Sequence, residues 1–217
     1  DGQEYTCVYA VDSTGKLYSW GYNGYGQLGI GGTSNQSVPV EVTTPVFDDS
    51  NAGKIVKVCT LGNGSYGNIA ILTSKGQIWC AGYMGNSGIA LQGNTSNQSN
   101  FVRHQTGPGS NVGTIANSAV NMWLAGCAHY ASIFMVDGQG YLYCAGANGY
   151  YQLGIGNSVT PQLIATQPQW DINGVRSLCK NVRGIWSHGH ENRAEVCCYL
   201  LTERGFVFVA GANERNN

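Results

Sequence analysis

The chain has 217 residues, 42% hydrophobic and only 11% charged, with a net charge of −1. Its 13 tyrosines, 5 tryptophans and 5 phenylalanines exclude a disordered chain, which is rich in charge and poor in aromatics. Lys and Arg total 11 with no basic stripe, which excludes a nucleic-acid partner, and no apolar run approaches the ~20 residues of a membrane helix.

The opening Asp-Gly-Gln-Glu-Tyr-Thr does not read as a secretory signal. The first predicted element is an apolar strand, Cys7–Val11, followed by a polar turn ending at Gly15 and a second strand through Leu17-Tyr18 to Trp20-Gly21. Glycine at the end of the turn suits a positive φ. The same pattern returns three times. Ile69–Leu72 leads to Gly76, Ile78-Trp79 and Gly82. Ile133–Val136 leads to Gly140, Leu142-Tyr143 and Gly146. Cys197–Leu201 leads to Gly205, Val207-Phe208 and Gly211. Four hairpins at a period of about 60 residues mean a repeat architecture, in which each unit buries its faces against its neighbours. The expected class is all-β, with repeats at approximately 1–53, 54–112, 113–174 and 175–217.

A second repeated element follows the hairpin: Gly-Tyr-Asn-Gly-Tyr-Gly-Gln-Leu-Gly-Ile-Gly at 21–31 matches Gly-Ala-Asn-Gly-Tyr-Tyr-Gln-Leu-Gly-Ile-Gly at 146–156. These segments lack the Gly-Lys-Ser/Thr ending of a phosphate loop and read as tight turns between blades. Ser19, Cys80, Cys144 and Val209 share one repeat position, which suggests a crowded site near the centre. The eight cysteines contain no Cys-x-x-Cys pair and are expected as free, mostly buried thiols. His188-Gly189-His190-Glu191 has a metal-like spacing, but a solvated polar loop is the better reading. Asp48-Asp49-Ser50-Asn51 lacks the spacing of a calcium loop. No cofactor and no metal are expected.

Asp12, Gly15, Trp20-Gly21, Asn23, Gly26-Gln27-Leu28-Gly29 and Gly31 in the first repeat resemble the regulator of chromosome condensation repeat family. So do Gly140, Gly146, Asn148, Gln152-Leu153-Gly154 and Gly156 in the third, with Gly126-Cys127-Ala128-His129 before them. The resemblance implies a single β-propeller, the four repeats here forming part of a seven-bladed ring. It implies structural roles for those glycines and glutamines, and for Gly29, Gly76, Gly82, Gly205 and Gly211. His129 is expected to tether strands by hydrogen bonds within its own repeat.

Function is sought in the loops. Tyr22, Asn23, Tyr25, Tyr83, Asn148, Tyr150 and Tyr151 follow the strand-ending glycines, and tyrosine among Gly, Asn and Ser is the composition of adaptable recognition loops. Carboxylates are few and scattered, so an enzyme is not expected. The main expectation is a binding module on a phage tail fibre or other virion or extracellular surface. Its partners would be a cell-surface glycan or protein receptor and other fibre subunits, because fibre proteins carrying such repeats share this charge-poor composition. The alternative is a scaffold of the cytoplasm or nucleus, of the guanine-nucleotide-exchange or chromatin-binding type.

Overall fold

The computed structural model describes residues 5–63, 65–104, 115–189 and 196–212. Among these, the strands in chain order are β1 (Cys7–Val11), β2 (Leu17–Gly21), β3 (Gln36–Glu41), β4 (Ile55–Asn63), β5 (Tyr66–Thr73), β6 (Ile78–Gly82), β7 (Gln98–Arg103), β8 (Ala119–Ala125), β9 (Ser132–Asp137), β10 (Leu142–Gly146), β11 (Gln162–Thr166), β12 (Gln169–Ile172), β13 (Val175–Leu178), β14 (Val182–Gly189), β15 (Val196–Thr202) and β16 (Val207–Gly211). They form antiparallel sheets β1-β2-β3, β4-β5-β6-β7, β8-β9-β10-β11 and β14-β15-β16, with β12-β13 as a separate hairpin. No helix among the described residues is long and apolar enough to cross a membrane.

The predicted hairpins are β1-β2, β5-β6, β9-β10 and β15-β16. Each turn closes by the same hydrogen bond, from Gly15, Gly76, Gly140 or Gly205 N–H to the carbonyl three residues earlier. The glycines have φ between +67° and +89°. The four strand-ending glycines have φ from +103° to +133°. At Gly82 a Cβ would lie 2.2 Å from the carbonyl oxygen of Gly67, so a side chain is excluded there by space as well as by backbone conformation.

The sheets stack face to face. Successive residues of a strand point to opposite faces, and in the middle sheets both faces are covered. Ile69 and Ile71 of β5 pack on Leu17 and Val42 of the first sheet. Ala70 and Leu72, between and beside them, pack on Met122, Ile133 and Met135 of the third. Phe134 and Val136 of β9 then meet Ile185, Val196 and Leu200 of the fourth. Three apolar cores therefore alternate with four sheets, which is the packing of propeller blades. The leading strands β4, β8 and β14 lie against one another and form the inner edge.

Two expectations change. Ser19, Cys80 and Cys144 are each 0% exposed, but they sit on β2, β6 and β10, the strands that follow the hairpin turns, and not on the leading strands of the inner edge. The crowding there comes from the loop that follows: Ser19 Oγ donates to Leu28 O at 2.8 Å, and Cys144 Sγ to Leu153 O at 3.4 Å. Val209, in the same column, is 62% exposed. His188 belongs to β14, paired opposite Cys197, and not to a loop; His190 and Glu191 lie outside the described residues. All eight cysteines are free thiols. Burial raises Cys179 and Cys198 to about 12.

The β12-β13 hairpin is an insertion between the third and fourth sheets. Its Asn173-Gly174 turn has φ of +53° and +81°, both positive as a two-residue type I′ turn requires. Trp170 at its base packs on Phe208 of β16, ring centroids 3.9 Å apart.

Candidate binding face

One end of the propeller carries the long loops after β2, β6 and β10 together with the turns after β4 and β8. Pairing of Cys7 with Gly21, Asn68 with Gly82 and Ser132 with Gly146 puts these segments side by side. A side chain ties each loop to its strand. Cys7 Sγ donates to Tyr22 O at 3.1 Å and Ser132 Oγ to Ala147 O at 2.8 Å, and the Asn68 amide donates to Tyr83 O at the equivalent place. The loop entrance is thus held in the same way in successive sheets.

Above these ties lies an aromatic cluster drawn from three sheets. Tyr25 stacks on Tyr66 at 5.1 Å and meets Tyr83 edge-on at 5.2 Å. Tyr66 lies 4.6 Å from Tyr83 and stacks on His129 at 4.4 Å with ring planes 15° apart. His129 also stacks on Tyr130 at 4.7 Å. All five rings are half-buried, so each keeps some surface toward solvent. A hydrogen bond with Tyr25 raises the Tyr66 phenol above its ordinary range, and burial raises Tyr83. Tyr5 and Tyr22 make the equivalent edge-on pair one sheet earlier, centroids 4.9 Å apart.

The structure therefore unites Tyr25 and Tyr83 and places Tyr22 in the neighbouring pair. Tyr150 and Tyr151 sit on the corresponding loop of the third sheet, outside this cluster, with Tyr151 56% exposed. Asn23 and Asn148 require correction as ligand-binding residues. Both are 0% exposed, with their amides committed to their own loops. Asn23 Oδ1 accepts from Leu28 N at 2.9 Å while its Nδ2 donates to Gly32 O at 2.9 Å. His129 also differs from expectation: its ring joins the second sheet to the third by stacking on Tyr66. Tyr5, Tyr66 and Tyr130 were missed. The signal was present, because they occupy one repeat position two residues before Cys7, Asn68 and Ser132.

Chemically this face offers flat π surfaces and phenol hydroxyls. Among the described residues no three His, Cys, Asp or Glu side chains gather as a metal-binding group. The arrangement suits recognition of a surface.

Comparison with known proteins places the fold. The regulator of chromosome condensation (RCC1) repeat matches residues 14–66. The ultraviolet-B receptor UVR8 of Arabidopsis thaliana is 47% identical over 49 residues, 23% of this chain and 10% of that protein. The mitochondrial RCC1 domain-containing protein RUG3 of the same plant is 37% identical over 73 residues, 34% of this chain and 14% of RUG3. Among solved structures, human WBSCR16 superposes with a TM-score of 0.66 at 20% identity, covering 96% of this chain and 47% of that one. Yeast RCC1 (Prp20), solved bound to Kap60, gives 0.61 at 19% identity, covering 96% and 42%. The chain thus spans less than half the length of these propellers, and its matches span a small part of the curated relatives. Residues 14–66 thus match an RCC1 repeat, and the chain as a whole shares the fold of the RCC1 β-propellers.

Proposed function

We propose that this chain is a non-enzymatic scaffold that binds another protein through its tyrosine-bearing end. The observation that carries the reading is the Tyr25–Tyr66–Tyr83–His129–Tyr130 cluster, five half-buried rings supplied by three sheets on one surface. Tyrosine gives large contact area at low entropic cost, and such residues dominate protein contacts. Prp20p, of the same fold, has been studied for its binding to Gsp1p and histones. That precedent favours an intracellular scaffold, of the cytoplasm or nucleus, over a virion adhesin. The adhesin reading rests on the charge-poor composition, and its ligand would be a glycan stacked on the same rings.

The test is quantitative binding of a partner identified by cross-linking to the wild-type chain, beside a glycan array. Tyr25→Ala and Tyr83→Ala are expected to weaken the protein complex at least tenfold, while exposed Val159→Ala leaves it unchanged. A glycan that binds the wild-type chain and is lost in both tyrosine variants would establish the adhesin instead. A protein partner indifferent to both tyrosines would remove this face as the site.

A further inference from the structure

Charge is divided unequally between the two ends of the propeller. The tyrosine-bearing end is built from segments 21–36, 63–68, 82–98, 125–132 and 146–162, and none of them contains Asp, Glu, Lys or Arg. Glu41, Lys57, Arg103, Asp137 and Arg183 are the charged residues on strands of the four sheets. Each lies five or six positions from the strand end at the tyrosine side, about 16–20 Å along the strand. The other described charges sit at the opposite end. They occupy the β1-β2, β5-β6 and β15-β16 turns, the segment 48–54 before β4, the β12-β13 hairpin and Lys180. The remaining charged residues fall within 1–4, 190–195 and 213–217, outside the described residues. Salt screens exposed charges over ~8 Å at physiological strength, so the described charges lie beyond the reach of a partner seated on the rings.

The ring geometry closes the other route by which tyrosines hold charge. Tyr66 stacks on both Tyr25 and His129, and His129 stacks on both Tyr66 and Tyr130. The faces of these two rings are therefore spent within the column, whereas a lysine or arginine is held over a free ring face. What they leave to solvent is ring edge and, at Tyr66, a phenol hydroxyl, which suit neutral oxygen acceptors and apolar groups. The hydrogen bond with Tyr25 raises the Tyr66 phenol and burial raises Tyr83, so neither supplies an anion at neutral pH. A partner's charge brought onto this end would lose water without meeting an opposite charge, which is costly.

We infer that the tyrosine-bearing end selects an uncharged segment of its protein partner, a stretch without Lys, Arg, Asp or Glu that is met through main-chain amides, hydroxyls and apolar groups. This rests on that end being the protein-binding site, and it names what the site excludes. Discrimination then comes from the penalty on charged competitors rather than from steering by opposite charge. The complex should accordingly be insensitive to salt, because no ion pair holds it.

The test selects random peptides displayed on phage against the wild-type chain, in parallel with a chain carrying both Tyr25→Ala and Tyr83→Ala. Peptides enriched on wild type alone are expected to be depleted in charged residues at least twofold against the input library. A synthetic peptide of the most enriched sequence is expected to change its Kd less than twofold between about 50 and 500 mM NaCl. Hydrogen exchange locates that peptide on the wild-type chain without relying on the fold of the double variant. Slower exchange at Tyr66, Tyr83 and Tyr130 is expected, with the β15-β16 turn unchanged. Acidic or basic peptides that protect these same amides, or a Kd weakened fivefold or more by salt, would keep the tyrosine end as the site and overturn the uncharged partner. Peptides that protect only other residues would remove the tyrosine end as the site, and this inference with it.

Discussion

Gln27 Nε2 donates to the carbonyl of Ser65 at 3.1 Å, joining a loop of the first sheet to the inner turn of the second. Its Oε1 accepts from Tyr25 N at 2.8 Å, so one side chain both shapes its loop and docks it. Gln152 repeats the inner half, accepting from Tyr150 N at 2.9 Å. With Gln27 only 1% exposed, Gln27→Ala leaves buried partners unsatisfied. The expected loss is about 2 kcal/mol, or about 4–8 °C in Tm for a domain of this size. Thermal unfolding checks it against exposed Thr33→Ala, which is expected to stay within ~0.5 kcal/mol of wild type.

Two glycines with positive φ are expected to respond differently. Gly15 has φ +89° and nothing within 4 Å of a Cβ, so Gly15→Ala carries only the conformational cost, about 1–2 kcal/mol. Gly82 has φ +103°, and its Cβ would sit 2.2 Å from Gly67 O, a backbone atom that cannot move without breaking the β5-β6 hairpin. Gly82→Ala is expected to cost more than ~4 kcal/mol or to prevent folding. Chemical denaturation of the two variants in parallel separates strain from collision, and equal losses would refute the collision.

The hairpins were legible because a glycine-bounded turn is fixed locally, and four copies in one sequence reinforce each other. β1 was read to the residue. The loop tyrosines were legible as a class, but their grouping was not. Tyr25 and Tyr66 are 41 positions apart in the sequence and meet only because consecutive sheets stack. Asn23 was misread for a physical reason: a polar residue in a Gly-rich loop looks solvent-facing until the loop folds over it. The Asp-Ile-Asn-Gly-Val-Arg hairpin at 171–176 carried its turn signal in Asn173-Gly174 and was passed over, because it occurs in one repeat only.

His104 should make stability pH-dependent. It is buried beside Cys80, and its Nε2 donates to Ile89 O at 2.7 Å. Desolvation lowers its pKa to about 4, with the Ile89 contact opposing. The folded pKa thus lies below the unfolded value, and between the two the unfolded chain binds the extra proton. The contribution is whole above pH ~6.5 and is lost as pH falls toward ~4, by at most ~3 kcal/mol. Tm measured from pH 7 to pH 4 should fall more steeply for wild type than for His104→Gln. Parallel curves would show that the ring does not carry the effect.

Asn23 and Asn148 are expected to behave as loop cores. Asn148 Oδ1 accepts from Leu153 N at 3.1 Å and its Nδ2 donates to Asn157 O at 2.7 Å, the same closure that Asn23 makes with Leu28 and Gly32. Alanine at Asn23 removes both ends of the closure, at a cost of about 2–3 kcal/mol. Aspartate keeps the acceptor but turns the donor into a second oxygen, set in a buried place against Gly32 O and Ser34 O at the positions where Nδ2 now donates. At neutral pH Asn23→Asp should therefore be less stable than Asn23→Ala. Burial against carbonyls would raise the new carboxyl's folded pKa above its unfolded value, so the folded chain gains the proton first as pH falls. The deficit of Asn23→Asp relative to wild type should shrink between pH 7 and pH 4.5, whereas that of Asn23→Ala should not. A pH-independent deficit in the aspartate variant would mean that the loop opens to water once the amide is gone.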